Sequence, residues 1–209
     1  MRFVPLPKSF YEPSAEVVAP QLLGHWLVRR VGRDWCGGPI VETEAYLMDD
    51  PASHGFRGET ARNRAMYGPP GRAYVYLIYG CHYCVNAVCH PAGRAEAVLI
   101  RALEPQFNEA AMRLNRPGPH AAGLTNGPAK LCAALNIGRA LDGADLGAAD
   151  SDLRIAANPQ RAEFCAARGP IVTTTRVGLT KAADRPLRYY LDRSLYVSRR
   201  VRAVARPSI

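Results

Sequence analysis

Two strand-like stretches, the first with strict two-residue alternation, limit what this chain of 209 residues can fold into. Residues 39–47 read PIVETEAYL, and residues 73–89 read AYVYLIYGCHYCVNAVC. Alternation of this kind predicts β-strands, and a turn near Tyr79-Gly80 would fold the second stretch into a β-hairpin. Strands joined by short turns favour a mainly antiparallel sheet.

Weaker patterns place further elements around these strands. We expect strands at 25–31, 97–105 and 169–179. We also expect a turn at Gly37-Gly38-Pro39 and irregular segments at 48–72 and 142–160. The expected helices carry residues typical of helix ends, with Ser14 and Gly24 around 15–23, Pro105 starting 105–115, and Pro128 and Gly138 around 126–138. The length suits one α+β domain over residues 1–209, with two small domains as the less favoured alternative.

Arginine supplies most of a strong positive charge. The chain carries 27 Lys and Arg against 18 Asp and Glu, which gives a formal net charge of +9. Arginines cluster at Arg57, Arg62, Arg64 and Arg72, and again between residues 185 and 206. Guanidinium groups pair well with phosphate, so a nucleic acid is the expected partner. The alternative is a charge excess that only keeps the protein in solution.

The sequence shows no membrane-directed segment. It has no run of about 18 apolar residues, and its N-terminal MRFVPLPKSF lacks the apolar stretch of a secretory signal. We therefore expect a cytoplasmic protein without a targeting signal or a membrane partner.

Six cysteines are too few and too irregularly spaced for a disulfide framework. The run CHYCVNAVCH places Cys81, Cys84 and Cys89 beside His82 and His90. A C-x2-C pair can hold zinc, but the run alternates like a strand and no second pair exists elsewhere. Free thiols are the expected state.

The strand over residues 39–47 presents two carboxylates and an aromatic ring on one side. Alternation sends Glu42, Glu44 and Tyr46 to one face and the small residues between them to the other. Such a face suits acid–base chemistry. A solvated face would show the same pattern, because acidic residues are mostly exposed. The pattern alone does not distinguish Glu42 from Glu44 as the reactive carboxylate.

The hairpin carries tyrosines that a core does not fully explain. Tyr74 and Tyr76 share a face, whereas Tyr79 lies at the turn, where little core is available. A tyrosine at a hairpin tip of a basic protein can wedge between base pairs, and rings inside a cleft can sandwich a base. The hairpin therefore predicts a protein that extrudes a nucleotide from duplex DNA.

Six motifs follow one another along the chain: I-V-E-T-E-A-Y, R-N-R-A-M-Y, Y-V-Y-L-I-Y-G, R-A-L-E-P, G-P-A-K-L and R-V-G. In these motifs, and in nearly its whole length, the chain resembles the alkyladenine (N-methylpurine) DNA glycosylase family. The resemblance implies a single α+β domain with a curved, mainly antiparallel sheet, surrounding helices and a protruding β-hairpin that penetrates DNA. It also implies a monofunctional enzyme of base-excision repair that removes alkylated or deaminated purines.

The resemblance assigns the catalytic roles. Glu44 is the expected general base, which takes a proton from the water that attacks the sugar carbon C1′. Arg101 is expected to help hold that water and Glu44, and the main-chain carbonyl of Val177 to contact the water. Glu42 is then expected to have a structural role such as pairing with an arginine. Direct attack by water should invert the configuration of the sugar at C1′.

The resemblance also assigns four residues to the damaged base. Tyr46 and Tyr76 are expected to sandwich it, and His54 to close the edge of the pocket and donate a hydrogen bond. Asn86 is expected to disfavour the 2-amino group of normal guanine.

Contact with DNA is assigned to five residues. Tyr79 is expected to enter the minor groove and fill the gap left by the extruded nucleotide. Cys81 stands where the family has a methionine that supports this wedge. Arg62 and Lys130 fall where the family contacts the DNA backbone, and Thr60 is expected to contact DNA as well.

The expected partner is double-stranded DNA that contains damaged purines, and the protein is expected to act as a monomer without cofactor or metal. No lysine lies in the pocket segments, so we expect an abasic product with an intact strand. Two rival functions remain at this point. One is a nucleic-acid binder that releases no base, and the other is a metal-dependent hydrolase that uses Glu42, Glu44, His54 and the Cys/His run.

Overall fold

The computed structural model describes residues 2–118 and 120–200, so Arg202 and Arg206 of the second arginine cluster lie outside the described residues. The α-helices are α1 (Ala15–Leu22), α2 (Glu109–Asn115), α3 (Pro128–Ala134) and α4 (Arg161–Ala167). The strands are β1 (Trp26–Val31), β2 (Asp34–Tyr46), β3 (Ala73–Ile78), β4 (His82–Cys89), β5 (Glu96–Leu103), β6 (Leu153–Ala156), β7 (Ile171–Thr174) and β8 (Arg188–Leu191). Short 3-10 helices occur at Lys8–Tyr11, Arg64–Tyr67, Ala121–Gly123 and Arg139–Leu141.

All eight strands join in one sheet. Six follow the order β3-β4-β5-β2-β1-β6, and β8 pairs with both β2 and β7. The named pairings within the described residues are antiparallel. The register of β2 against β5 shifts between Ile40 and Thr43, and irregularities of this kind bend a strand. The predicted α+β fold with a curved antiparallel sheet is confirmed.

Gly37 and Gly38 do not form the predicted turn. They lie inside β2, and the β1–β2 turn occurs at residues 32–33 instead. A Cβ on Gly37 would lie 2.1 Å from the main-chain oxygen of Leu27, and one on Gly38 would lie 1.8 Å from that of Glu104. Both positions require glycine because neighbouring backbone approaches them closely.

Two predicted helices pack on the sheet as expected. α1 ends before Gly24, whose φ of 83° is left-handed, and α3 starts with Pro128 in its first turn. Val18 and Leu22 of α1 and Leu131 of α3 are completely buried and join the main hydrophobic core. These contacts hold the two helices against β2, β4 and β5.

Two predicted helix ends were wrong. Pro105 is not in α2: residues 106–107 pair with Gly37, and the helix starts after Asn108, whose side chain accepts from the amide of Ala111. Gly138 does not end α3, because the left-handed position is taken earlier by Asn136, with a φ of 51°. Asn108 thus caps the start of α2, which the prediction placed at Pro105. Asn136 adopts the left-handed conformation that the prediction assigned to Gly138.

The expectation of an irregular connection over 142–160 was also wrong in part. β6 lies inside it and extends the sheet beyond β1, and α4, which was not predicted, follows at Arg161–Ala167. Conversely, the strand predicted over 169–179 is restricted to β7. The segment 48–72 is a loop with one 3-10 helix, as expected. Within the described ranges, no helix is long and apolar enough to cross a membrane.

Candidate active site

A cavity of about 320 Å³ opens beside the β3–β4 hairpin, and we call it the aromatic cavity. Its volume is at the lower end of the range of small-molecule sites. The wall is mostly aromatic and aliphatic. It brings together seven of the predicted site residues, namely Tyr46, His54, Tyr76, Tyr79, Asn86, Arg101 and Val177.

Glu44 does not itself line the cavity: it is fully buried, and its side-chain hydrogen bonds and ion pair are with residues of this wall. Its Oε1 accepts a 2.8 Å hydrogen bond from the main-chain amide of Val177 and lies 3.2 Å from Nη1 of Arg101. Its Oε2 accepts the hydroxyl of Tyr46 at 3.0 Å. A carboxylate oxygen can accept two hydrogen bonds, so Oε2 retains acceptor capacity. The arrangement fixes the carboxylate and leaves one oxygen able to take a further donor.

Tyr46 therefore does more than supply a ring. Burial raises its pKa, and the neighbouring Glu44 raises it further, so the phenol stays protonated and donates to Glu44. The guanidinium of Arg176 lies 4.6 Å from the centre of the Tyr46 ring. Arg176 is itself held by a buried ion pair with Asp50 and by the carbonyl of Ala45. Neither Arg176 nor Asp50 was among the predicted site residues, although Arg176 is the first residue of the R-V-G motif.

Glu42 is completely buried, so the solvated-face alternative for this strand was wrong. The expected pairing of Glu42 with an arginine is confirmed twice, because its Oε1 accepts from Nε of Arg101 and from Nε of Arg188, each at 2.8 Å. Ser198 donates to it through its amide at 2.6 Å and its hydroxyl at 2.8 Å. Burial alone would raise the pKa of Glu42, but the two arginines and Ser198 lower it below the ordinary value. Glu42 is thus ionised, and it holds Arg101, which in turn contacts Glu44.

Arg101 connects the two carboxylates. Burial alone would lower its pKa, but Glu44 and Glu42 raise it overall. Its Nη2 also donates to the hydroxyl of Ser198 at 3.1 Å. A side chain held at three places has little freedom to leave Glu44.

His54 lies at the edge of the cavity, between two tyrosines. Its Nδ1 is 2.9 Å from the hydroxyl of Tyr74, and its ring meets that of Tyr76 edge-on with centroids 4.5 Å apart. Burial lowers the pKa of His54, and the nearby charge of Arg62 lowers it further. The imidazole is therefore neutral at neutral pH, with a proton on one nitrogen.

Asn86 is positioned by the hairpin itself. It lies opposite Tyr74 in the β3–β4 register, and its Nδ2 donates to the carbonyl of that residue at 3.0 Å. In the same register Tyr76 lies opposite Cys84, which also lines the cavity. The cross-strand pairs thus fix two of the residues that the resemblance assigned to the base.

Tyr79 occupies the tip of the hairpin and is 86% exposed. Its φ of 53° and that of Gly80, 74°, are both positive, as in the tight turns that connect β-hairpins. A tyrosine in this conformation is strained, and no packing compensates for the strain. Cys81 next to the turn is also exposed. Strain and exposure together mark the tip as a candidate contact point.

Asn63, a residue without a predicted role, organises the loop that carries Thr60 and Arg62. Its Oδ1 accepts from both the amide and the hydroxyl of Thr60, at 2.6 and 2.9 Å, and its Nδ2 donates to the carbonyl of His54 at 2.8 Å. Arg62 reaches the hairpin and donates to the carbonyl of Leu77 at 3.0 Å. The asparagine in R-N-R-A-M-Y was the available sequence signal.

Thr60, Arg62, Cys81 and Lys130 do not line the aromatic cavity. Lys130 lies on α3 directly after Ala129, which does line it, and its Nζ is exposed and donates to the side-chain oxygen of Asn126 at 2.9 Å. Arg62 contacts the hairpin at Leu77 and Lys130 follows a wall residue, so both lie near the cavity without lining it.

The Cys/His run does not assemble a metal site. In the parts of the chain that the structure describes, no group of three or more His, Cys, Asp and Glu side chains is placed to hold a metal ion. Cys84 and Cys89 are buried in the strand, whereas Cys81 is exposed. All three are free thiols.

Comparison with known proteins gives one consistent result. Residues 9–195 match a family model described as methylpurine-DNA glycosylase. A relative from Methanoculleus marisnigri, named "Putative 3-methyladenine DNA glycosylase", is 50% identical over 93% of this chain and 99% of its own length. Relatives of the same name from Carboxydothermus hydrogenoformans and from Rhodopseudomonas palustris strain HaA2 are each 46% identical over 93% of this chain, and the matches cover 99% and 90% of their own lengths.

Proposed function

The chain belongs to the methylpurine-DNA glycosylase family and is a DNA glycosylase, and on that premise we propose that it hydrolyses damaged purines from duplex DNA with a water activated by Glu44. The substrates would be alkylated or deaminated purines of the 3-methyladenine, 7-methylguanine, hypoxanthine and ethenoadenine class. One observation carries the proposal: a buried carboxylate is held by two hydrogen-bond donors and one guanidinium group from the wall of an aromatic cavity.

The cavity suits a flat heterocycle that has left the base stack. Tyr46 and Tyr76 supply aromatic rings, and the guanidinium of Arg176 lies over the ring of Tyr46. Stacking a base on an aromatic side chain is worth about 1–3 kcal/mol, which offsets much of the cost of extruding a weakly paired nucleotide. His54 and Asn86 add polar groups at the wall, where they can distinguish one purine edge from another.

Cleavage of the bond between C1′ and the purine passes through a cation-like sugar. In the proposed mechanism a water donates to the free position on Oε2 of Glu44, which takes its proton as the water attacks C1′. The carboxylate also stabilises the developing positive charge. Tyr46, Arg101 and Val177 keep Glu44 oriented throughout. The bond from C1′ to the purine nitrogen breaks as the bond to the water oxygen forms, and the purine keeps the electron pair. A cationic alkylpurine leaves as the neutral base, whereas a neutral purine takes up one proton, which balances the proton that Glu44 accepts. The other product is an abasic site with inverted configuration at C1′.

Strand cleavage by a lysine Schiff base is not part of the proposal. The chain has three lysines, Lys8, Lys130 and Lys181, and none lines the aromatic cavity. A water nucleophile leaves the sugar–phosphate backbone intact.

The hairpin and the loop beside it would hold the opened duplex. Tyr79 is exposed at the tip and can replace the extruded nucleotide in the stack. Arg62, Thr60 and Lys130 lie near the cavity, where backbone phosphates would pass. Arg62 also donates a hydrogen bond to the hairpin, so its contact with DNA would be linked to that of Tyr79 at the hairpin tip.

The direct test uses duplexes that carry one hypoxanthine or one alkylated purine, incubated with the protein in EDTA and then treated with alkali. We expect alkali-dependent cleavage at the lesion and free base in the supernatant. Glu44→Gln should slow single-turnover release by about 10²- to 10⁴-fold while the protein still binds the duplex.

Glu109→Gln is the matched control, because Glu109 lies in an exposed i,i+4 pair away from the cavity. Binding without release of base on either substrate would refute glycosylase activity on these purines. Activity that requires a divalent metal would favour the metal-dependent alternative, and full activity in Glu44→Gln would reject Glu44 as the base.

A further inference from the structure

A second opening of about 590 Å³ meets the aromatic cavity at Val177 and Gly178, which line both. We call it the arginine cleft. It is lined by Thr175, Arg176, Val177, Gly178, Arg188, Arg199 and Arg200, with no acidic residue among them. Four arginines around one opening concentrate positive charge beside the candidate active site.

The charges of these arginines are not all compensated. Arg176 pairs with Asp50, and Arg188 pairs with Glu42. Arg199 and Arg200 are exposed, and within the described residues neither forms an ion pair. The cleft therefore presents two uncompensated guanidinium groups to solvent, and one donor of Arg200 is satisfied only by a main-chain carbonyl, that of Ser194.

The cleft is also lined by Thr175, an exposed residue with a hydroxyl group. Exposed guanidinium groups without an acidic partner, as in Arg199 and Arg200, together with a hydroxyl, are the groups that recognise a phosphate oxygen.

We propose that the arginine cleft binds one backbone phosphate of the damaged strand, next to the nucleotide whose base enters the aromatic cavity. The inference rests on the proposed function, because the strand is placed there by a base in the cavity and C1′ beside Glu44. Arg199 and Arg200 would supply the charge. Contacts to phosphate fix the position of a strand without reading its sequence, which suits a site used for lesions in any context.

The cleft is connected to the catalytic carboxylate by the residue that precedes Arg199. Ser198 donates twice to Glu42 and accepts from Arg101, and Arg101 contacts Glu44. A phosphate held by Arg199 would therefore be positioned by the same network of hydrogen bonds and ion pairs that orients Glu44. This connection would set the position of C1′ relative to the attacking water.

The first experiment measures the affinity for a hypoxanthine duplex at several salt concentrations, with single variants Arg199→Gln and Arg200→Gln. The Glu44→Gln background prevents turnover during the measurement. Loss of one phosphate contact should lower the slope of log K against log salt by about 0.9 and weaken binding about tenfold at low salt.

Arg33→Gln is the matched control. Arg33 is an exposed arginine in the β1–β2 turn, eleven residues before Glu44, so it lies roughly 30 Å away along β2. Its slope should equal that of the parent protein. Equal slopes for Arg199→Gln, Arg200→Gln and Arg33→Gln would overturn the proposal.

The second experiment locates the phosphate. Uncharged methylphosphonate is placed singly at each phosphate within three nucleotides of the lesion. At one position of the damaged strand it should weaken binding by the parent protein and have no further effect on Arg199→Gln. Additive losses at every position would overturn the proposal. Release of hypoxanthine with Glu44 intact is measured separately, so failure of the glycosylase activity is distinguishable from failure of the phosphate site.

Discussion

The aromatic cavity and the arginine cleft share a wall but have opposite chemistry. The cavity is lined by rings and aliphatic groups, and its arginine, Arg101, is neutralised by two buried carboxylates. The cleft has arginines that reach solvent without acidic partners. A nucleotide has the same division, because its base is flat and largely apolar on its faces whereas its phosphate is charged. The pair of openings matches the two ends of one extruded nucleotide.

The difference has a physical basis. Stacking and hydrogen bonding discriminate best where water is excluded, whereas ion pairing with phosphate operates at a wet surface and weakens with salt. If the proposed function and the proposed phosphate site are correct, selectivity for a damaged base belongs to the cavity and general affinity for DNA belongs to the cleft. Variants of each region should separate these two properties.

The largest effect is expected from Glu42, which connects the two regions. Glu42→Gln leaves Arg101 and Arg188 without their shared charge in a buried setting. Loss of one partner of a buried ion pair typically destabilises a protein by about 3–5 kcal/mol. Urea unfolding should show a loss of this size.

Glu109→Gln removes an exposed ion pair and should cost less than about 0.5 kcal/mol. A Glu42→Gln protein as stable as Glu109→Gln would mean that the ion pairs of Glu42 do not stabilise the wall of the aromatic cavity. The cavity and the cleft would then be independent.

An intermediate effect is expected from Tyr79. Tyr79→Ser removes the exposed ring at the hairpin tip and should weaken binding to a lesion duplex by about 1–3 kcal/mol. Its salt dependence should stay unchanged, because no charge is lost. Fluorescence anisotropy at several salt concentrations measures both quantities.

The same substitution should have little effect on an undamaged duplex, in which no nucleotide needs to be replaced in the stack. A variant that lost affinity for both duplexes equally, or changed the salt slope, would show that the tip acts as an ordinary DNA contact.

The smallest effect is expected from the titration of His54. Burial and Arg62 lower the pKa of His54, so the imidazole is neutral at pH 7 and protonates only below its ordinary value of about 6.5. Protonation would place a positive charge in the cavity. The rate on a positively charged alkylpurine should then fall by about fivefold relative to hypoxanthine, equivalent to about 1 kcal/mol for screened charges about 4 Å apart.

His54→Gln should abolish this change in the rate ratio. The cleft provides the internal reference, because arginine stays charged over the whole range and affinity for undamaged DNA should not follow the same titration. A rate ratio that is flat from pH 7 down to the lowest pH at which the unaltered protein stays folded would remove His54 from this role.

Local patterns predicted the elements that form from neighbouring residues. The alternation around Glu44 and around Tyr76 gave β2, β3 and β4, and Pro128 correctly marked the start of α3. The same reasoning failed at Gly37-Gly38, because the need for glycine there comes from backbone 10 and about 66 residues away in sequence. It also failed for β6, whose four residues pair with β1 on one side and with the N-terminal segment on the other, both more than 120 residues away in sequence.

The candidate site divides along the same line. The resemblance in sequence named Glu44, Tyr46, His54, Tyr76 and Arg101, and the structure places all of them at or directly behind one cavity. Arg176 over Tyr46 and Asn63 beneath Thr60 were not recognised, because their roles are made by contacts that no spacing reveals.

The sequence by itself determined which side chains share a strand face and which chemistry they offer, since alternation and charge are properties of neighbouring residues. It left Glu42 and Glu44 equivalent until a family resemblance was considered. Only the tertiary structure distinguished their surroundings, because Arg188 and Ser198 are brought to Glu42 from about 150 residues away, while Tyr46, Arg101 and Val177 surround Glu44. Both carboxylates are fully buried, so burial does not separate them. Long-range pairing gives Glu42 two arginines and Ser198 as partners, whereas Glu44 keeps an acceptor position on Oε2, which its proposed role in activating a water requires.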